Sequence, residues 1–256
     1  MDEWFETFFD RLYYETYRPF ETEDRNEKEA RFIVDALGLP HGSTVLDLGC
    51  GYARHAVYLA KWGFRVVCYD LSKFMLERAR ERVEEFGVAG RVELVRGDMR
   101  RLEYDSYFDG AYIFFTAFGY FSDRENMLVL ERVSRALKPG GTLLIDLLNP
   151  VRVMYEAHLY RGVKRVWSEA GDYVELEEAV FDVRRARINV RRKYYRRADG
   201  GLVDERSFTL RIYTYWELRE MLEKAGMRLE KAYGSYKGDE YEPESPRLIV
   251  VTHKAE

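Results

Sequence analysis

The stretch Thr44-Val45-Leu46-Asp47-Leu48-Gly49-Cys50-Gly51-Tyr52-Ala53-Arg54-His55 organises the rest of the chain. Val45, Leu46 and Leu48 lack polar alternation, which reads as a buried strand in a parallel sheet covered on both faces. Gly49 and Gly51 permit a sharp turn and a close backbone approach to a ligand, because neither carries a Cβ. A helix is expected over Ala53–Trp62, with its free N–H groups and positive dipole end aimed at that ligand. Strand, glycine turn and helix make a nucleotide-site architecture. A dinucleotide site would have a third glycine where Arg54 stands. Asp47, just before the first glycine, would repel a pyrophosphate and suits a ligand that carries positive charge.

The surrounding composition is that of a folded protein of one large domain or two small ones. The chain has 256 residues, 46% of them hydrophobic, enough for a sizeable core. A net charge of −4 gives no global basicity towards nucleic acid. Charged residues reach 34% and glutamine is absent, a composition that leans towards a thermophilic source. The acidic start Met-Asp-Glu-Trp has no signal-peptide character, and no apolar stretch is long enough to span a bilayer. Cys50 and Cys68 form neither a metal spacing nor a disulfide framework. These features point to a reduced, cytoplasmic protein, with Cys50 a small turn residue rather than a nucleophile.

The string Val-Leu-Asp-Leu-Gly-Cys-Gly (45–51) resembles the first motif of class I S-adenosylmethionine-dependent methyltransferases. That resemblance implies that Asp47, Gly49, Cys50 and Gly51 hold the cationic methionine end of the cofactor. A second match is Leu137-Lys-Pro-Gly-Gly-Thr-Leu-Leu-Ile-Asp146, a tight helix-to-strand turn in the same family. The resemblance runs from about residue 30 to the end. It is closest to the members with a β insertion after the fifth strand, and it implies S-adenosylmethionine as cofactor.

The segments on either side fit that frame. Trp4, Phe5, Phe8, Phe9, Leu12 and Tyr13 recur at helical spacing, Pro19 breaks that helix, and Arg25–Leu37 forms another. Residues 1–36 therefore read as a helical cap. Similar segments cover the cofactor in small-molecule methyltransferases, which nominates Tyr13 and Tyr17. A second strand, Arg65–Tyr69, ends at Asp70, where a carboxylate can accept from both ribose hydroxyls. Leu71 and Met75 can flank ribose and adenine, while Ser72 caps the next helix. The third strand, Arg91–Arg96, runs into Gly97-Asp98-Met99. By resemblance, Asp98 accepts from the adenine amine and the Met99 N–H donates to a ring nitrogen. The fourth strand, Tyr107–Phe115, runs into the loop Thr116-Ala-Phe-Gly-Tyr-Phe121 at the carboxyl edge of the sheet, facing the transferable methyl group. That loop resembles the one in small-molecule N- and O-methyltransferases, and aromatic rings there suit a sulfonium or an amine.

Ser122 and Glu125 form a capping box for a helix to Leu137, and Thr142–Leu148 is a fifth strand. Residues 151–212 change character, with four antiparallel strands separated by turns. Their basic run, Arg184 to Arg197, suggests an RNA patch, but a turn near Arg184–Arg185 would set Glu177 opposite Arg192 and Glu178 opposite Arg191 as ion pairs. This insertion is expected to roof the substrate pocket or to pair two subunits. Thr214–Glu217 caps a last helix, and two strands complete the sheet.

The expected architecture is a doubly wound, seven-stranded, mostly parallel α/β sheet. It comprises a cap (1–36), a cofactor-binding core (37–150), the antiparallel insertion (151–212) and a C-terminal completion (213–256). The expected function is methyl transfer to N or O of a small-molecule acceptor, by a monomer or homodimer. Nucleic acid is disfavoured as a partner and no membrane is implied. An RNA methyltransferase, a nicotinamide oxidoreductase and a non-catalytic scaffold stay open as rivals. No catalytic residue stands out. Tyr120, His158 and Tyr213 are the candidate bases, His41, His55 and His253 read as structural, and no metal set is present.

Overall fold

The computed structural model describes residues 3–255; residues 1–2 and 256, at the outer ends of the expected cap and C-terminal segment, lie outside it. Seven strands form one sheet. They are β1 (Thr44–Leu48), β2 (Arg65–Asp70), β3 (Val92–Arg96), β4 (Phe108–Ile113), β5 (Leu137–Leu148), β10 (Met227–Tyr233) and β11 (Arg247–Lys254), in the order β10-β11-β5-β4-β1-β2-β3. β11 pairs antiparallel with both β5 and β10; the β5-β4-β1-β2-β3 pairs are parallel. Strand order reverses at β1, so the crevice beyond the carboxyl ends of β1 and β4 is where this topology places ligands.

Helices cover both faces. α3 (Glu23–Leu37) and α4 (Ala56–Lys61) bury Ile33, Val57 and Leu59 against one side of the sheet. α6 (Asp123–Ala136) and α8 (Tyr215–Lys224) bury Val129, Leu130, Val133, Leu218 and Leu222 against the other. Both expected capping boxes form, Ser122 with Glu125 and Thr214 with Glu217. α5 (Lys73–Glu85) starts at the Ser72 cap, as expected.

Three boundaries differ from the sequence reading. The cap does not open with one continuous helix. α1 (Phe5–Phe8) stops at Phe9, and Asp10 starts α2 (Arg11–Tyr17) by accepting from the Tyr13 N–H at 3.2 Å. An N-cap carboxylate thus overrides the continuous aromatic spacing. Pro19 lies in the short 3₁₀ turn after α2. The helix expected over Ala53–Trp62 begins three residues late, because Ala53 takes a left-handed φ of 59°. The six residues of α4 leave no long dipole aimed at the turn. Strand β5 extends back to Leu137, which pairs with Phe108 ahead of the turn at Gly140.

The insertion starts with α7 (Pro150–Leu159) and forms a separate sheet, β6 (Val163–Ala170), β7 (Tyr173–Asp182), β8 (Arg187–Arg196) and β9 (Leu202–Arg211), in that order. Glu177 opposes Arg192 and Glu178 opposes Arg191, the expected register. Arg192 is ion-paired to Glu175 and Glu177, Arg191 to Glu205, Arg196 to Asp199 and Arg197 to Glu169.

Candidate active site

A cleft of about 1000 Å³ opens at the β1/β4 switch point beneath the cap. The first glycine turn forms its floor. Gly49 has φ 80°, and a Cβ there would lie 3.0 Å from the Ala117 Cβ, so side-chain-free backbone is required. The Gly49 N–H donates to the Tyr69 carbonyl at 2.8 Å and the Gly51 N–H to Asp70 Oδ2 at 2.8 Å. Asp70 Oδ1 accepts from the Ser72 N–H at 2.8 Å. Two backbone donors therefore fix this carboxylate at the tip of β2.

All eleven residues expected to meet the cofactor line this one cleft: Tyr17, Asp47, Gly49, Cys50, Gly51, Asp70, Leu71, Met75, Asp98, Met99 and Phe115. Asp98 is more committed than its sequence suggested. Both its oxygens bond Arg100, which also bridges Glu3 and Glu125. Arg100 holds the Asp98 pKa below the usual carboxylate range, in spite of partial burial.

Asp47 is 3% exposed; its Oδ2 makes no hydrogen bond of standard geometry, and the buried Tyr112 hydroxyl, likewise without another partner, lies beside it. Burial raises its pKa to about 7, and the charge of Asp70 adds to the rise. The side chain that sequence reading passed over is Arg54. It is buried in the same cleft wall, where Nη1 donates to Glu29 Oε2 at 2.5 Å and to Asn26 Oδ1 at 3.0 Å, and Nε lies 3.4 Å from Glu21 Oε1. Its Nη2 is buried without a partner. The cleft wall thus sets the Asp47 carboxylate, beside the Tyr112 hydroxyl, near a guanidinium with one unpaired nitrogen; buried polar atoms are ordinarily paired, so Arg54 Nη2 is an open valence for a ligand. Only the absence of a third glycine flagged position 54; its partners come from the cap, more than twenty residues away.

Aromatic rings make the upper wall. Tyr13 and Tyr17 stack at 4.3 Å, and Tyr17 meets Phe115 edge-on at 6.2 Å. Phe9 stacks on Tyr120 at 5.9 Å. Phe115 and Thr116 both adopt left-handed φ values, 55° and 66°, a strained pair in the loop after β4. Asp146 clamps them: Oδ2 accepts from the Phe115 N–H at 2.8 Å, and its carbonyl accepts from the Thr116 N–H at 3.0 Å. Arg247 donates to Asp146 Oδ1 at 2.7 Å and to Thr116 Oγ1 at 2.7 Å, and the Tyr236 hydroxyl donates to Asp146 Oδ2 at 2.9 Å.

Of the three candidate bases, only Tyr120 lines the cleft. His158 is exposed on α7, away from it. Tyr213 is buried, donating to Asp123 and accepting from Asn126, which is a structural arrangement. His55 lies in the cleft wall with Nε2 2.9 Å from Glu29 Oε2, and burial lowers its pKa to about 4. His41 bonds the Trp62 carbonyl and His253 pairs with Glu230. The insertion contributes no described residue to the cleft wall. It packs behind the cap, with the Arg192 guanidinium 5.4 Å from the Tyr17 ring centroid.

Comparison with known proteins agrees with this geometry. A family model described as a methyltransferase domain matches residues 45–141. The ubiquinone/menaquinone biosynthesis C-methyltransferase UbiE of Escherichia fergusonii is 32% identical over 164 residues, 59% of this chain and 64% of that protein. The chain thus spans a little under two thirds of that relative's length. Among solved structures, the CcbJ methyltransferase of Streptomyces caelestis superposes with a TM-score of 0.78 at 24% identity, covering 90% of this chain and 95% of that one. S-adenosylmethionine-bound CalS10, an amino pentose methyltransferase of Micromonospora echinaspora, gives 0.67 at 21% identity, covering 96% and 97%. The two solved structures share the fold, and the methyltransferase-domain match spans β1 to the start of β5, the part of the chain that carries the glycine turn of the cleft.

Proposed function

We propose that this chain transfers a methyl group from S-adenosylmethionine to an amine nitrogen of a small molecule. The observation that carries the cofactor reading is the juxtaposition, in one cleft wall, of the Asp47 carboxylate and the unpaired Nη2 of Arg54. An amino-acid tail is a zwitterion: its ammonium would satisfy Asp47 Oδ2 and its carboxylate would satisfy Arg54 Nη2. Asp70, held by two backbone donors, would take the ribose hydroxyls, with Leu71 and Met75 beside it. Asp98 and the Met99 N–H would meet the adenine edge, and Tyr17 and Phe115 would close over the cofactor from the cap and from the loop after β4. A diphosphate would instead meet Asp47 and Asp70, two carboxylates at the same turn.

When bound, the cofactor supplies a methyl group on a positively charged sulfur that departs as a neutral thioether. The work left to the protein is to align the acceptor and exclude water. Burial raises the pKa values of Tyr13, Tyr17 and Tyr120, so these phenols stay protonated at neutral pH. His55 is tied to Glu29, and Glu21 is tied to Tyr52 and Arg54. An acceptor that needs a proton removed first finds no free base among these groups. A neutral amine needs none, and the positive charge it develops would be stabilised by the faces of the surrounding rings. The amino pentose acceptor named for CalS10 belongs to that class. Six of the eight basic residues of the run pair with carboxylates of the insertion, all but Arg184 and Arg187, which weakens the support for an RNA substrate.

Isothermal titration with S-adenosylmethionine, S-adenosylhomocysteine and NADH tests the reading. Both sulfur cofactors should bind and NADH should not. Binding of NADH alone, or of none of the three, would defeat it. Radiolabelled methyl transfer to an amine-bearing metabolite fraction, and not to hydroxyl compounds lacking nitrogen, is the expected second result.

A further inference from the structure

We propose that a groove behind the cleft wall, between α3 and the turn after β10, is a second ligand site. It would take a flat aromatic molecule bearing one carboxylate, and its occupancy would tighten the hold on S-adenosylmethionine. The site stands on its own geometry; only the coupling rests on the methyl-transfer reading.

One stripe of α3 makes the first bank. Arg25, Lys28, Glu29, Phe32 and Asp35 recur at steps of three and four, so they share a helix face. Across from them stand Tyr233, at the end of β10, and Tyr236 and Lys237 of the following turn. Local hydrogen bonds build that turn. Ser235 Oγ accepts from the Lys237 N–H at 3.1 Å, and Gly238, with φ 84°, donates its N–H to the Ser235 carbonyl at 3.2 Å. A volume of about 1060 Å³ lies between the banks, room for a small molecule.

The floor is aromatic and the rim is cationic. Phe32 is buried and meets Tyr233 edge-on at 5.5 Å, while Tyr233 and Tyr236 are half-buried. These rings offer an apolar surface to another ring. Lys237 is exposed and, among the described residues, has no carboxylate within ion-pair distance. Arg25 spends Nε on Glu29 and Nη1 on the Phe20 carbonyl, which leaves Nη2. Lys28 and Arg31 have exposed partners, Asp24 at 2.7 Å and Glu27 at 3.7 Å, and such pairs contribute little. Glu29 is committed to Arg54 and His55, so Asp35 is the one unpaired acid of the lining. Four cations against it favour an anion, and Asp35 disfavours a second negative charge. A carboxylate meets both conditions; a phosphate monoester, close to doubly charged at neutral pH, does not.

Two groove residues reach the cleft. Tyr236 stacks on Phe114 at 5.0 Å, and the Arg25 guanidinium lies 5.7 Å from the Phe115 ring centroid. Phe114 and Phe115 both line the cleft. The Tyr236 hydroxyl also donates to Asp146, the carboxylate that clamps the Phe115–Thr116 turn. A ligand over Tyr236 excludes water from that hydrogen bond, and drier surroundings strengthen it. The clamp then holds Phe115 in place against the cofactor. Linkage makes the effect mutual, so the cofactor tightens the groove by the same factor.

Isothermal titration of the full chain with naphthoate tests the site. Naphthoate should bind, naphthyl phosphate should bind more weakly, and naphthylmethylammonium should not bind. Lys237→Glu, a change at an exposed side chain, should weaken naphthoate about tenfold. Saturating naphthoate should tighten S-adenosylhomocysteine about fivefold. Tyr236→Phe keeps the ring and removes the hydroxyl, so it should bind naphthoate as before and lose that gain. No naphthoate binding, an unchanged affinity in Lys237→Glu, or equal binding of the ammonium analogue would overturn the site. Bound naphthoate with no effect on S-adenosylhomocysteine, or the same gain in Tyr236→Phe, would overturn the coupling. A chain that binds naphthoate as described but no S-adenosylhomocysteine would defeat the methyl-transfer reading and leave the groove standing.

Discussion

Replacing Asp146 with Asn tests whether the strained turn above the cleft is held by one buried carboxylate. Asp146 has no exposed side-chain surface, and its partner Arg247 is 14% exposed. The carboxylate serves three donors: the Phe115 N–H, the Tyr236 hydroxyl and the Arg247 guanidinium. Asparagine keeps a single side-chain oxygen, which can serve Arg247 or the other two donors, not all three. It also leaves a buried guanidinium without a counter-charge. Removing one partner of a buried ion pair costs about 3–5 kcal/mol. For a chain of this length that corresponds to a fall in melting temperature of roughly 10 °C. Released from the clamp, the left-handed Phe115–Thr116 pair relaxes and Phe115 moves in the cleft wall, so affinity for S-adenosylhomocysteine should fall about tenfold, near 1.4 kcal/mol. Differential scanning calorimetry and isothermal titration, well below the melting temperature, read the two effects separately. The double variant Asp146→Asn/Arg247→Met removes the stranded cation and should recover about half of the lost stability. A fall of less than about 3 °C, or a double variant no more stable than the single, would refute the reasoning.

Two other substitutions probe the floor. Asp47 has its pKa raised to about 7 from 3.8, so between those values the folded state holds a proton that the unfolded state has lost. Stability contributed by this group therefore falls as pH rises from about 4 to 7. Asp47→Asn should remove that dependence and stabilise the free protein at pH 8 by at most about 4 kcal/mol, while weakening S-adenosylmethionine binding at least tenfold. Wild-type affinity should rise with pH up to about 7 and then level off, because the ammonium needs the ionised carboxylate; a flat profile would count against the pairing. Gly49→Ala forces a Cβ into a left-handed position 3.0 Å from Ala117, and should cost about 1–3 kcal/mol in denaturant titrations and abolish detectable cofactor binding.

The parts of this molecule that were legible in the sequence are those governed by local rules. The capping residues Ser72, Ser122 and Thr214, the glycine turn after β1 and the turn near Arg184 act over a few residues, and the elements they delimit fall where expected. The pairing of Glu177 with Arg192 followed from a period of two and one turn position. The eleven residues gathered in one cleft were nominated from strand ends, which the sheet topology brings together. What escaped was non-local. Arg54 meets Glu21 and Glu29, and Asp146 meets residues 31, 90 and 101 positions away; no spacing rule encodes such pairs. The split at Asp10 was missed because aromatic residues continue at helical spacing across it. The late start of α4 was missed because a left-handed alanine carries no sequence signal.

The ion cluster around Arg54 has an evolutionary consequence. Glu21, Glu29 and His55 all lean on that one guanidinium or on each other, inside the protein. Putting glycine at this position, as diphosphate-binding members of the architecture require, would leave Glu21 in the interior with no ion-pair partner among the described residues and Glu29 with Arg25 and His55 alone. Stranding a buried carboxylate costs several kcal/mol, a large share of a typical protein's stability margin. A lineage carrying this cluster is barred from drifting, one substitution at a time, towards the other great class of nucleotide ligands; the charge balance of its interior fixes what its cleft can evolve to hold.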